Sequence, residues 1–204
     1  MGLRERKKQQ TRTTLSWSAI RLIVERGYDR VLVEDIATEA GVSPRTFNNY
    51  FSSKAEAVAS RHLDRCLRMA DELRARPAGE PLWEALEQAV LSQFDMGPEV
   101  AANPPLDREA WVHGLRLMLE VPAIQAETLR AGADAEVALA AAVGTRTGTD
   151  PSDLYPRLVA AAVLAAGNVA TQLFVAGSGR DVDVRRVLAE ALRQLSTGLQ
   201  PPGR

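Results

Sequence analysis

The side chains best suited to specific recognition chemistry are concentrated in residues 41–54. An asparagine amide can bond an adenine edge through two atoms at once, and an arginine guanidinium can do the same to guanine. Arg45, Asn48 and Asn49 therefore have the groups needed to read bases in a major groove, and Arg45 could instead clamp a phosphate. An ordinary polar surface helix is the alternative interpretation.

A helix, a sharp turn and a second helix are predicted to position these side chains. The helix before the turn spans about residues 33–40 and ends at Gly41, which permits a tight turn. Ser43 is a good N-cap and Pro44 suits the first helical position, so the second helix should run from Pro44 to about Tyr50. This layout is that of a helix-turn-helix, whose second helix enters the major groove.

Two aromatic residues and a capping box should fix the second helix in place. Phe47 and Phe51 are four residues apart, so both can point into a core while the polar side chains face outward. Ser53 and Glu56 form an S-x-x-E capping box that opens a fourth, long helix ending near Arg74.

Positive charge is concentrated at the start of the chain. Residues 2–10 are a polar, basic tail that we expect to fray, and a first helix is predicted over residues 11–26. Through Lys54, ten basic residues face six acidic ones, a net charge of +4, so the remainder carries −5 to reach the total of −1. A basic head on an acidic body indicates a polyanionic partner, although ordinary solvated charge gives the same composition.

Several classes of site are excluded. One cysteine, Cys66, rules out an internal disulfide framework, and His62 and His113 are too few and too isolated for a histidine metal site, so we expect no metal and no cofactor. No catalytic triad order, metalloprotease motif or phosphate-binding glycine loop is present, which argues against an enzyme. We find no apolar run of about 18 to 20 residues and no signal-peptide core, and therefore expect a cytoplasmic protein without a membrane partner.

An all-α fold of about nine helices is predicted. Alanine and leucine dominate, while β-branched runs are short and scattered. A linker at residues 76–81 precedes a body with helices predicted at 82–94, 111–119, 124–143, 153–176 and 182–198, a break at 97–105 and a loop at 144–151. The last two helices are apolar over much of their circumference and must be covered on more than one side.

The order of the first four helices, and four short stretches in them, resemble the N-terminal domain of the TetR family of transcriptional repressors. The stretches are Glu-Arg-Gly-Tyr at 25–28, Val-Glu-Asp-Ile-Ala at 33–37, Ala-Gly-Val-Ser at 40–43 and Phe-Ser-Ser-Lys at 51–54. The resemblance covers about residues 11–60, and beyond residue 75 it extends only to the helix plan and length. It implies a DNA-binding domain at 1–54 and a ligand-binding and dimerisation domain at 55–204. The implied DNA contacts are Pro44, Arg45, Thr46, Asn48, Asn49, Tyr50 and Lys54, the last holding a phosphate.

Two residues depart from the family pattern. Leu32 stands where the family usually has a threonine or serine that caps the second helix and touches phosphate, which weakens that cap by about 1 kcal/mol. Only backbone N–H groups then remain for the phosphate. Asn48 replaces a common aromatic, so the operator preference of relatives should not be transferred to this chain.

For the body, the resemblance implies a dimer interface on the last two helices and an effector pocket among the middle ones. The interface candidates are Leu154, Leu158, Ala162, Val187, Leu188, Ala191 and Leu195, with a monomer core as the alternative. The pocket candidates are Trp83, Phe94, Trp111, Leu115, Met118, Val137, Asn168 and Gln172, where each aromatic could equally be core and the two amides could instead meet a partner chain. Residues 119–123 and residues 45–51 resemble the corresponding stretches of a TetR subgroup with long-chain acyl-CoA-like effectors.

The sequence thus predicts a homodimeric, ligand-responsive repressor that binds a pseudo-palindromic DNA operator and is released by a small apolar effector. The alternative is a helical small-molecule-binding or scaffolding protein that does not use its helix-turn-helix.

Overall fold

All regular structure in the described part of the chain is helical. The computed structural model describes residues 2–94, 108–177 and 183–199. Over these ranges it has nine α-helices, which we number α1 (Leu3–Arg26), α2 (Val33–Glu39), α3 (Pro44–Asn48), α4 (Lys54–Ala75), α5 (Leu82–Leu91), α6 (Arg108–Glu120), α7 (Pro122–Thr147), α8 (Leu154–Ala176) and α9 (Val184–Ser196). The predicted all-α fold is confirmed.

The chain divides into two compact units. The first contains the chain up to Asp64, together with α6 and the start of α7 as far as Ala131. The second contains the chain from Arg65 through α5, and then from Gly132 onward. Both α4 and α7 therefore contribute residues to each unit. The predicted functional boundary after residue 54 stays a prediction.

The core of the first unit forms where α1, α2, α3 and the beginning of α4 bring their apolar faces together. Its buried members are Leu15, Ala19, Leu22, Ile23, Val31, Ile36, Ala37, Phe47, Phe51, Ala55, Ala57, Val58 and Ile124. Leu117, Met118 and Val121 pack against this cluster and are half-buried. The predicted inward positions of Phe47 and Phe51 are confirmed.

The expectation that residues 2–10 fray is wrong, because α1 begins at Leu3. Arginine, lysine, glutamine and glutamate have high helix propensity, so the polar segment continues the helix that the core holds from Leu15 onward. At the other end, Gly27 ends α1 with a φ of 84°, as predicted for a glycine after a helix.

Polar contacts join α1 to α4 inside the first unit. The hydroxyl oxygens of Ser16 and Ser60 lie 2.7 Å apart and are buried. Arg12 donates to both carboxylate oxygens of Asp64, at 2.8 and 3.0 Å, and Arg61 donates to the same carboxylate at 3.0 Å. The buried carboxylate thus has two guanidinium partners, without which its burial would be costly.

The second unit contains the later part of α4, α5, the later part of α7, α8 and α9, with α9 packed against α8 and α5. Its largest fully buried side chains are Leu73, Leu86, Leu139, Leu188 and Leu192. α7 begins at Pro122 and continues to Thr147, so the predicted loop starts later than expected, while the predicted break at 97–105 lies outside the described residues.

Cys66 is buried, and this burial raises the pKa of its thiol, which disfavours the reactive thiolate.

α8 corrects the expectation that no apolar segment reaches membrane-spanning length. Its 23 residues satisfy the length and the apolar composition of a membrane span. One side of the helix, including Val159, Val163 and Ala170, is nevertheless buried in the core of the second unit. A helix that packs one side into a core and has a second apolar side also meets this criterion of length and composition.

Candidate nucleic-acid interface

The helix predicted to read DNA, α3, which we call the reading helix, begins at a well-formed cap. The Ser43 hydroxyl accepts the backbone N–H of Thr46 at 3.1 Å, and the two side-chain hydroxyls lie 2.9 Å apart. Pro44 occupies the first turn, where a missing N–H costs nothing, and Gly41 makes the preceding turn with a φ of 68°. The predicted start of the helix is confirmed, and its regular part ends two residues before the predicted Tyr50.

Two phenylalanines hold α3 against the rest of the unit. Phe47 is completely buried and Phe51 is 2 % exposed, with their ring centroids 5.7 Å apart. A tilted pair at this separation is a favourable arrangement of aromatic rings. Because both rings point inward, the opposite face of α3 is directed to solvent.

That outward face carries the predicted base-reading groups. Pro44, Arg45, Asn48 and Asn49 are exposed, while Thr46 and Tyr50 are half-buried. Within residues 2–94, 108–177 and 183–199, no hydrogen bond engages the side chains of Arg45, Asn48 or Asn49. These three lie at i, i+3 and i+4, so they share one helix face and their polar groups are available to a ligand.

Lys54 has a role that the sequence does not reveal. Its ammonium donates to the carbonyl oxygens of Tyr28 and Val31, at 2.6 and 2.8 Å, and lies 4.2 Å from the centroid of the Tyr28 ring. Two of its three N–H donors are therefore used inside the first unit, where they fasten the start of α4 to the segment between α1 and α2. At most one donor remains for the predicted phosphate contact.

The start of α2 is also different from the expected arrangement. Leu32 caps nothing with its side chain, as predicted, and is 60 % exposed. Its backbone N–H, which we expected to be available to a phosphate, donates to the Asp35 carboxylate at 2.9 Å. This N–H is therefore already satisfied, and Glu34 and Asp35 add negative charge at the same helix start.

The predicted capping box at α4 is half formed. The Glu56 N–H donates to the Ser53 hydroxyl at 3.0 Å, as in such a box. The Glu56 carboxylate, however, accepts from the backbone N–H and the hydroxyl of Ser52, each at 2.7 Å, and not from Ser53. The chain between α3 and α4 is thus held by both neighbouring serines.

The predicted effector residues do not lie together in one unit. Leu115 and Met118 are half-buried in the first unit, and Trp83 is half-buried against the core of the second. The side chains of Phe94 and Trp111 lie outside the described part of the structure.

Three of the effector assignments are corrected. Val137 is 71 % exposed, because α7 directs Ala131, Ala135 and Leu139 inward and Val137 outward. Asn168 and Gln172 are exposed on α8, so in a single protomer neither amide lines an enclosed cavity.

The predicted interface residues fall into three groups. Leu154 and Leu158 are 80 % and 60 % exposed, whereas Ala162, Val187, Ala191 and Leu195 are half-buried. Leu188 is completely buried in the core of its own protomer and has no surface to offer, so its assignment to an interface is corrected.

Sequence reasoning missed further members of one exposed apolar face. We define the α8 face as Leu154, Leu158, Ala161, Ala165, Val169 and Leu173, all exposed. The last four residues follow Leu154 and Leu158 at intervals of three or four, which is the spacing of one helix face. This spacing in the sequence could have identified them.

Comparisons with known proteins match most of the chain. The sequence model of the family described as "Bacterial regulatory proteins, tetR family" matches residues 18–59, and the one described as "MftR C-terminal domain" matches residues 80–200. The "HTH-type transcriptional regulator TcmR" of Streptomyces glaucescens is 32 % identical over 196 residues, which cover 93 % of this chain and 84 % of that protein.

Solved structures show the same fold at lower identity. The fatty acid degradation regulator FadR from Bacillus halodurans superposes with a TM-score of 0.59 at 18 % identity, covering 93 % of this chain and 96 % of that one. SmeT, the repressor of the Stenotrophomonas maltophilia multidrug efflux pump SmeDEF, gives a TM-score of 0.55 at 18 % identity, covering 95 % and 94 %. At these identities the likeness extends to the fold alone.

The bonds of Lys54 lead to a prediction about stability. Lys54→Met should lower the free energy of unfolding by about 1 to 3 kcal/mol, because two carbonyls lose a charged donor. Chemical denaturation measures this, with the exposed Lys7→Met as the matched control, for which no change is expected. Unchanged stability of Lys54→Met together with weakened DNA binding would instead assign the ammonium to a phosphate.

Proposed function

Because this chain belongs to the TetR family of bacterial regulatory proteins, we propose that it is a ligand-responsive repressor that binds a pseudo-palindromic DNA operator as a homodimer. The observation that carries the proposal is α3, whose exposed Arg45, Asn48 and Asn49 stand opposite the buried Phe47 and Phe51. The family consists of transcriptional regulators rather than enzymes. The protein acts in the cytoplasm, where the operator DNA is accessible.

The reading of bases rests on Arg45, Asn48 and Asn49. An arginine pairs best with guanine and an asparagine with adenine, so a half-site is expected to contain both kinds of contact. Pro44, Thr46 and Tyr50 lie on the rim of the same face, where short contacts to sugar and phosphate fix the register of the helix. Lys54 contributes to binding chiefly by holding the start of α4, given its two internal hydrogen bonds.

Dimerisation rests on the α8 face. An apolar stripe that runs the length of a 23-residue helix is costly to leave in water, and a second copy of the chain covers it by symmetry. The half-buried Ala162, Val187, Ala191 and Leu195 border the stripe or belong to the neighbouring α9. Two copies related by a twofold axis present two α3 helices, which suits an operator with two related half-sites.

Release of the operator requires an effector that binds one conformation better than the other. Leu115 and Met118 are the candidate pocket residues of the first unit, and Trp83 is a separate candidate in the second. Their apolar character favours an apolar ligand, and we propose a long-chain acyl-CoA or a molecule of similar shape. The ligand shifts the population only by its difference in affinity between the two states. α4, which supplies residues to both units, is the element proposed to carry the change.

The proposed base contacts of α3 can be tested directly. Arg45→Ala and Asn49→Ala should each weaken operator binding by about 1 to 3 kcal/mol and relax the sequence preference at one position of each half-site. Fluorescence anisotropy against the operator and single-base variants measures both effects. Arg130→Ala serves as the control, because Arg130 is also exposed, pairs with Glu127 three residues before it, and does not belong to α3. Full affinity and unchanged preference in both variants would remove these residues from base reading.

The proposed dimer is tested with a matched pair of leucines. Leu158→Glu places a charge in the α8 face and should convert the protein to a monomer in sedimentation velocity at micromolar concentration. Leu129 is 80 % exposed and lies on α7, outside this face, so Leu129→Glu should sediment as the wild type does. A wild-type monomer, or a Leu158→Glu dimer of wild-type affinity, would contradict the proposed interface.

The effector proposal is tested by titration of a preformed operator complex. A saturating long-chain acyl-CoA should lower operator affinity about 5- to 150-fold, the usual range of coupling between two sites. Coenzyme A without the acyl chain is the control and should leave the complex intact. If the acyl-CoA has no effect, the effector belongs to another chemical class.

A further inference from the structure

The net positive charge of the DNA-binding head comes from its first fourteen residues. This segment has five basic residues and one acidic residue, a net charge of +4. Residues 15–54, which include the whole helix-turn-helix, have five basic and five acidic residues and are neutral. The reading helix therefore works from a head with no net charge of its own, although DNA binding draws much of its affinity from neutralised phosphates.

The structure makes this charged segment a continuous helix. We call residues 3–14 the basic arm. They form the first turns of α1, before Leu15, which is the first core residue of the helix. Residues 3–10 are all exposed. At 1.5 Å per residue the arm is about 18 Å long, which matches about five base pairs of DNA.

The base of the arm is fixed beside the reading helix. Arg12 bonds the Asp64 carboxylate through one nitrogen at 2.8 and 3.0 Å, and its guanidinium carbon lies 5.3 Å from the centroid of the Phe51 ring. Phe51 in turn contacts Phe47 of α3. Arg12 is thus committed to positioning the arm, and Arg4, Arg6, Lys7 and Lys8 remain as its exposed cations.

The exposed cations are not distributed evenly around the helix. Lys8 precedes the buried Leu15 by seven residues, and Arg4 precedes the buried Ser18 by fourteen, so both continue the buried face of α1. Arg6 lies two residues from each of them, about 160° away from Lys8 by helical geometry, and points to the opposite side. The arm therefore presents Arg4 and Lys8, with Lys7 at their edge, on the side from which α1 contacts α2 and α4, and Glu5 is the one acidic residue on that side.

From this arrangement we propose that the basic arm is a second DNA-binding element, which holds the phosphate backbone beside each half-site while α3 reads the bases. The inference rests on the proposed function, since it presumes that α3 is bound to DNA. The arm contacts phosphates through Arg4, Lys7 and Lys8, and it supplies the sequence-independent part of the affinity that the neutral head lacks. Arg6 faces away from the DNA.

A matched pair of charge removals tests the arm. Lys8→Gln and Arg6→Gln each delete one exposed cation from the same helix, and neither side chain is buried. The slope of log affinity against log salt concentration is measured for the operator and for unrelated duplex DNA. In a dimer, loss of the Lys8 contact removes two phosphate interactions, so the slope should fall by about 1.8 units on both DNAs. Arg6→Gln should leave the slope near that of the wild type.

The outcomes separate the arm from the proposed function. Equal losses in the two variants would describe an unoriented polycation and overturn the proposed face. No loss in either variant, while the wild type still binds its operator and loses affinity on Arg45→Ala, would overturn the arm and leave the repressor intact. A wild-type protein that binds no DNA would overturn the repressor, and the arm with it.

Discussion

The burial of Phe47 and Phe51 is the constraint on which the DNA-binding face depends. A five-residue helix such as α3 has almost no stability by itself, because nucleation of a helix costs more than so few hydrogen bonds return. The helix persists because the two rings are enclosed between α1, α2 and α4 and because Ser43 satisfies its first turn. Since the rings fix the rotation of α3 about its axis, they also decide that Arg45, Asn48 and Asn49 face outward.

Several charged side chains serve this frame. Lys54 bonds two carbonyls before α2, Arg12 and Arg61 share the buried Asp64, and Asp35 holds the N–H of Leu32. Each of these groups is a cation or carboxylate in the region where a polyanion is expected, yet its bonds lie inside the first unit. The head is therefore held by internal bonds but electrically neutral over residues 15–54, and the excess of positive charge lies on the basic arm. Charged residues with internal bonds position the reading helix, and the exposed cations of the basic arm are the groups proposed to attract DNA.

Local signals made much of the fold predictable. Gly27 and Gly41 adopt positive φ, Ser43 and Pro44 open α3, and the four-residue spacing of Phe47 and Phe51 places both inside, all of which follow from neighbouring residues. The partner of Lys54 lies more than twenty residues away in sequence, so no local pattern could give it. The rotation of the alanine-rich α7 and α8 was equally hidden, because nearly uniform apolarity has no clear periodicity. For this reason the sequence predicts Val137, Asn168 and Gln172 inside, although all three are exposed. Leu188 lies on α9, and its assignment to an interface follows from the family resemblance and not from the pattern of that helix.

The central claim is that two copies of α3 read two related half-sites. Methylation interference on an operator selected from random DNA tests it most directly, because methylation of guanine N7 blocks contacts in the major groove. The account predicts two symmetric patches of interference, centred about one helical turn or a multiple of it apart, near 10 base pairs or a multiple. A single patch, or selected sequences without twofold symmetry, would contradict it.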